Sequence, residues 1–208
     1  MHPNPVYHDA DLEQNLGFAR ERAFGVLAVT GPDGPLLSHI PFLLSEDGKF
    51  AGLHLLRSNP IVRALKEPLV AKIAVTGPDS YVSPDWYGVL DQVPTWNYVA
   101  VHLTGVLELR PQEELHDLLD RQSAMYEDRL QPKSPWKTEK MSDGVMDKMM
   151  RMIVPCRMAV SDVDGTWKLG QNKPDDVRKA AAEQIKGFGF GSETDILAAL
   201  MMGAGKGS

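Results

Sequence analysis

Within VPTWNYVAVHLTG, residues 93–105, the chain places Trp96, Asn97, Tyr98 and His102. Aromatic rings can cover a planar ligand, an amide can both donate and accept, and an imidazole can exchange a proton near neutral pH. Side chains alternate along a strand, so Trp96, Tyr98, Ala100, His102 and Thr104 share one face. Val99, Val101, Leu103 and Leu107 form the other, a continuous core stripe. The first face has the composition of a ligand wall. A solvent-facing strand decorated with polar groups is the plainer reading, and the two large aromatics weigh against it.

A second group lies in HLLRSNPIVRAL, residues 54–65. Ser58 or Asn59 can cap a helix that begins at Pro60. The free N–H groups and partial positive charge of such a start, beside Arg57 and one turn before Arg63, could seat a phosphate. A capped helix with a solvated arginine accounts for the same residues. A third group, WKLGQNKP at 167–174, sets Trp167, Lys168, Gln171, Asn172 and Lys173 before a second proline-led helix. Either a polar turn or contact with a ligand carrying rings and phosphate would use them.

Other chemistries find less support. His39, His54 and His102 fall in three expected strands, but no HxH or HxxxH spacing orders them as metal ligands. No G-x-S-x-G elbow is present, and no G-x-G-x-x-G follows a strand. The GFGFG run at 187–191 follows a helical pattern and reads as a loop.

The elements that must carry these groups are closely spaced strands. Expected strands cover 24–30, 36–44, 50–56, 69–77, 96–109, 152–163 and 167–173, with an extended aromatic segment at 80–88. Expected helices start at Asp11, with Gln14 completing a capping box, and at Asn59-Pro60. Others run from Pro111, around 142–151, over 174–186 and from Ser192, before a frayed tail, GAGKGS. Strands joined by short turns favour an antiparallel sheet or barrel with peripheral helices, an α+β domain over residues 1–208 with a helical extension from about 174.

Composition narrows the function classes. The 208 residues are 43% hydrophobic and 24% charged, ordinary values for a globular chain. With 22 basic against 28 acidic residues the net charge is −6, without the basic footprint of a nucleic-acid binder, so direct DNA binding is doubtful. Cys156, in the apolar setting IVPCRMAV, excludes an internal disulfide and reads as a packing residue. No signal peptide and no membrane span are visible, so a cytoplasmic protein without membrane contact is expected.

Taken in order, PLLSHIPF, the H-x-x-x-S-N-P run from His54, SYVSPDWY, VPTWNYVAVHLTG and WKLGQNK resemble the PaiB-like family of FMN-binding proteins over about residues 1–175. That resemblance implies an antiparallel split β-barrel related to the pyridoxamine-phosphate oxidases, a homodimer, and FMN held where the subunits meet. The matching positions are Ser38, His39, His54, Arg57, Ser58, Asn59, Trp96, Asn97, Tyr98, His102, Lys168, Gln171 and Asn172. By the same resemblance Arg57, Ser58 and Asn59 hold the FMN phosphate, and Trp96 and His102 face the flavin. Gln171 and Asn172 reach it from the other subunit. It also shifts Asn97 out of the strand into the preceding loop. Gly170 departs from the family pattern, where serine is common.

Two functions follow as expectations. One is a flavin-dependent redox protein acting on a small molecule, with His102 as candidate proton donor. The other is a flavin-linked transcriptional regulator. A haem- or metal-binding protein on the same barrel, using one of the three histidines, is the alternative.

Overall fold

In the computed structural model, which describes residues 1–205, the strand expected at 69–77 runs on to Val82, into the segment expected to be extended at 80–88, whose Pro84–Tyr87 instead form a 3-10 turn. β1 (Phe24–Gly31), β2 (Gly34–Pro41), β3 (Leu43–Leu44) and β4 (Phe50–Leu56) are short, whereas β5 (Leu69–Val82), β6 (Thr95–Leu109) and β7 (Ile153–Lys168) are long. The two-residue β8 (Gly191–Ser192) pairs with β5. The helices are α1 (Leu12–Arg22), α2 (Pro60–Ala64), α3 (Leu115–Glu127), α4 (Val145–Met150), α5 (Asp175–Phe188) and α6 (Thr194–Gly203). The eight strands form an antiparallel sheet in the order β2-β1-β5-β6-β7-β4-β3, with β8 off this path.

Local chemistry sets the starts of two helices. The Asp11 carboxylate accepts from the Gln14 N–H at 2.7 Å and caps α1. Asn59 caps α2 through Ile61 N–H at 2.9 Å, with Pro60 in the first helical position. Pro111 does not start α3 directly; a 3-10 turn over Gln112–Glu114 intervenes. Ser192 lies in β8 rather than in the last helix, which begins at Thr194. The tail expected to fray falls in part on residues 206–208, outside the described residues.

The interruption expected at Asp164-Gly165 is absent, because β7 runs through it. Gly165 serves there for close approach: a Cβ at this position would lie 1.9 Å from Asn15 Oδ1. Asn15 is buried, and its amide oxygen accepts from Trp167 Nε1 at 2.9 Å. That bond satisfies an indole that would otherwise be an unpaired buried donor.

The chain divides into two units, each of which takes part of β5, β6 and β7. The first comprises Met1–Phe18, Thr76–His102 and Asp164 onward. Its core gathers Val82, Tyr87, Val99, Trp167 and Leu169 with Val177, Ala181, Ala182 and Ile185 of α5 and Leu197, Ala198 and Met201 of α6. The α5 positions recur at helical spacing and so present one apolar stripe.

The second unit comprises Ala19–Val75 and Leu103–Val163. Leu27, Ile40, Leu53, Ile61, Ile73, Leu103, Leu107 and Met158 are buried in it. Leu115 and Leu118 are the buried side of α3, and the Tyr126 hydroxyl fixes its far end by donating to the Ala23 carbonyl at 2.6 Å. Cys156 is buried as expected, its thiol pushed up to about 12 by burial.

Candidate functional site

In the first unit, β6 shows the expected alternation. Asn97 and Val99 are buried, while Trp96, Tyr98, Ala100 and His102 stay partly open on the opposite face. The displacement of Asn97 into a loop is therefore corrected: the strand begins at Thr95, and Asn97 sits on its core side. Its amide nitrogen lies 3.4 Å from Met201 Sδ. The period of two fixes the side-chain direction once pairing starts, and pairing starts before Asn97.

Trp96 is 39% exposed and meets Tyr81 and Phe190 edge-on, at ring-centroid distances of 6.3 and 5.6 Å. Phe190 comes from the glycine-rich run at 187–191, which the structure carries against β5 through β8. Such edge contacts hold the indole in place while leaving part of it open. His102 shares this face further along the strand.

The late turn gathers a different set. Gly170 has φ +79°, in the left-handed region, and a serine at this position would be strained. Gln171 braces the turn: its Oε1 accepts from Leu169 N–H at 2.9 Å, and its Nε2 donates to the carbonyls of Trp167 and Val6 at 2.6 and 3.1 Å. Its hydrogen-bonding groups thus serve the chain itself.

Lys168 and Asn172, together with Asn97, line a cavity of about 210 Å³. His2, Tyr7, Tyr87, Thr95 and Lys173 line it too. Lys168 Nζ donates to Thr95 Oγ1 at 2.6 Å, and Lys173 Nζ bonds Gln92 Oε1 while lying 4.3 Å from the Tyr87 ring centre. Burial, followed by the charge of Lys173, holds the Lys168 ammonium below its ordinary pKa. Burial, then Lys168, does the same to His2.

In the second unit Ser38 and Asn59 come together, with Asn59 Nδ2 donating to Ser38 Oγ at 3.1 Å. His39, one residue on, faces the other way and is exposed, stacked on Phe24 at 6.4 Å. Arg57 holds the chain before β7: Nε donates to the Arg151 carbonyl at 3.0 Å, and Nη2 to Gln112 Oε1 and the Ile153 carbonyl at 2.8 and 3.2 Å. Ser58 and Arg63 remain exposed beside it.

His54 lies apart from this group. It shares a face of β4 with Gly52, where a Cβ would stand 2.9 Å from Leu118 of α3. Its Nδ1 is buried without a partner, and burial lowers its pKa against a hydrogen bond with Gln122 that would raise it.

A cleft of about 700 Å³ in the second unit has an apolar floor including Leu44, Leu118 and Cys156. None of the residues expected from the sequence lines it. Its rim is largely self-paired, with Glu108 bonded to Arg110 at 2.9 Å and to Arg157 at 2.8 Å, and Arg110 to Glu114 at 2.8 Å.

Sequence reasoning missed His2, Tyr7, Tyr87 and Thr95 as site residues. Tyr87 and Thr95 stood inside strings already singled out, but nothing in local spacing joins residue 2 to residue 168. Among the described residues no group of three or more His, Cys, Asp or Glu could hold a metal ion. Nor is any of their helices long and apolar enough to cross a membrane.

Comparisons with known proteins agree with this architecture. The family model described as "Putative FMN-binding domain" matches residues 1–162. "Protease synthase and sporulation protein PAI 2" of Bacillus subtilis is 28% identical over 178 residues, 85% of this chain and 84% of its own. A FAD and heme binding protein from Mycobacterium smegmatis superposes with a TM-score of 0.56 at 18% identity, over 88% of this chain and 80% of that one. The flavocytochrome Anf3 from Azotobacter vinelandii gives 0.51 at 12% identity, over 88% and 77%. The two structural likenesses show the fold, the split-barrel type expected from the sequence. FMN, the expected cofactor, is the one the family model describes.

Proposed function

The chain belongs to the FMN-binding domain family, and on that premise we propose that it is a flavin-dependent redox protein acting as a homodimer. The observation that carries this reading is the open face of β6 in the first unit. There Trp96, Tyr98, Ala100 and His102 combine aromatic surface, a small residue that admits a planar ring, and an imidazole.

The residues present fit FMN in kind. The Trp96 face suits an isoalloxazine, while Ser58 and Arg63 offer a hydroxyl and a cation of the type a phosphate requires. In a homodimer the two ends of the cofactor need not be held by one chain, so each group is tested separately. When bound, FMN supplies hydride or single-electron transfer. Trp96 and Tyr98 would orient its ring and exclude water, and His102 would donate or accept a proton at the substrate.

Support for the dimer comes from the second unit. The register of β1, β2 and β5 sets Phe24, Val26, Ala28, Leu37 and Ala74 on one face, with His39 and Lys72 among them. Of these Phe24 is 54% and Leu37 61% exposed, and Val70 on β5 is 71% exposed. Apolar surface this open is the kind a second subunit covers. Leu37→Glu with Val70→Glu should convert the dimer to monomer in light scattering; an unchanged mass would remove this face.

Titration of the purified protein with FMN, followed by absorbance, tests the whole reading. Flavin bands that shift on binding and bleach under a nicotinamide reductant support a redox role. Absence of binding at micromolar FMN overturns it, and a Soret band on haem addition would favour the haem alternative. A regulator that reads DNA directly would show DNA binding with a measurable salt dependence, which the net charge of −6 disfavours; an indirect regulator would act through its redox state or a protein partner.

A further inference from the structure

We propose that the small cavity of the first unit is an oxyanion-binding site for a phosphate or carboxylate group, with Lys168, Lys173, the Tyr87 hydroxyl and the Asn172 amide as donors. The cavity draws on two lysines and no carboxylate. Lys168 and Lys173 are held only by neutral partners, Thr95 Oγ1 and Gln92 Oε1, and by the faces of Tyr7 and Tyr87. Neither lysine meets a carboxylate among the described residues.

Two like charges brought together in a half-buried place repel each other, and an anion between them removes that repulsion. Tyr87 adds an independent sign. Its side chain is 2% exposed, and its hydroxyl is buried without a hydrogen-bond partner. Burial, with Tyr7 adding to it, pushes that phenol up to about 12, so it keeps its proton and can only gain by meeting an acceptor. A buried donor with no acceptor is uncommon in a finished fold and calls for a missing partner.

Size limits the occupant. At about 210 Å³ the cavity is smaller than the roughly 300–1,000 Å³ typical of sites for drug-sized ligands. It admits the oxyanion end of a molecule rather than a flavin ring system. The phosphate of FMN and a separate small anion would be recognised by the same chemistry, and the experiment below tells them apart. The proposal does not rest on the FMN assignment, because a protein that failed to bind FMN could still take an anion here.

Calorimetric titration of the full chain with inorganic phosphate and with acetate tests it. Wild type should bind at least one of them at millimolar concentration. Lys168→Met and Lys173→Met should each weaken that binding about tenfold or more, and Tyr87→Phe several-fold. Tyr87→Phe keeps the ring and the core, so it decides the matter if a lysine variant fails to fold. No binding of either anion, or binding that Tyr87→Phe and the folded lysine variants leave unchanged, overturns the proposal. FMN and riboflavin identify the source. If the site holds the cofactor phosphate, FMN competes with phosphate, and the lysine variants weaken FMN but not riboflavin. If it holds a separate anion, phosphate binds FMN-loaded protein equally well and the variants retain their FMN affinity.

Discussion

Two stretches of the chain set cations beside hydrogen-bond donors, and the fold treats them in opposite ways. At the start of α2, Asn59 caps Ile61 and donates to Ser38, while Arg57 holds two backbone carbonyls and Gln112. At the late turn, Lys168 and Lys173 face a cavity without a carboxylate, beside a tyrosine hydroxyl that has no acceptor. In the first arrangement Arg57 and Asn59 are satisfied by the chain itself and stabilise the fold, leaving only the exposed Ser58 and Arg63 open. The second leaves demand for an anion. A list of basic and polar residues does not separate the two; the partners already engaged do.

That contrast can be broken from either side. The largest expected effect is at the self-satisfied end: Asn59→Ala removes the α2 cap and the partner of Ser38, and should cost about 1–2 kcal/mol in chemical denaturation. Anion binding in the first unit should not change. A comparable loss is expected for Gly170→Ala, about 1–2 kcal/mol, because an L-residue at φ +79° is strained. Here anion affinity should fall as well, since the turn carries both Lys168 and Asn172.

A smaller effect of opposite sign belongs to Tyr87→Phe. Deleting a buried hydroxyl that lacks a partner should leave anion-free protein as stable as wild type or more stable by about 1 kcal/mol. Added phosphate should raise the melting temperature of wild type more than that of the variant. A variant destabilised without any anion present would show that the hydroxyl already has an acceptor.

The smallest effect concerns pH. Burial lowers the His54 pKa in the folded state, so the unfolded chain binds its proton first as pH falls. The stability contributed by neutral His54 is therefore present above about pH 6.5 and is lost as pH drops toward the lowered folded value. His2, also lowered, acts in the same direction. Urea midpoints measured from pH 7.5 to 5 should decline less in His54→Asn than in wild type, and equal slopes would remove His54 as a contributor.

Much of the fold was legible because its signals are local. The caps at Asp11 and Asn59 depend on spacings of two or three residues, and both occur as expected. The two faces of β6 follow from a period of two, which correctly placed Asn97 on the core side when the family pattern moved it out. Less legible was where strands continue. Gly165 reads as a break in isolation, yet β7 runs through it because Asn15 occupies the space a side chain would need.

The site divides along the same line. The sequence by itself determined the family, the antiparallel sheet, the FMN expectation and the ligand-like face of Trp96, Tyr98 and His102, all through motifs and alternation within short windows. Only the tertiary structure decided that Arg57 and Gln171 are committed to their own chain. It also decided that residues as distant as His2, Tyr87, Thr95 and Lys173 line one cavity. The reason is physical: periodicity fixes the direction of a side chain, but whether its charge or proton already has a partner depends on segments that meet only after folding.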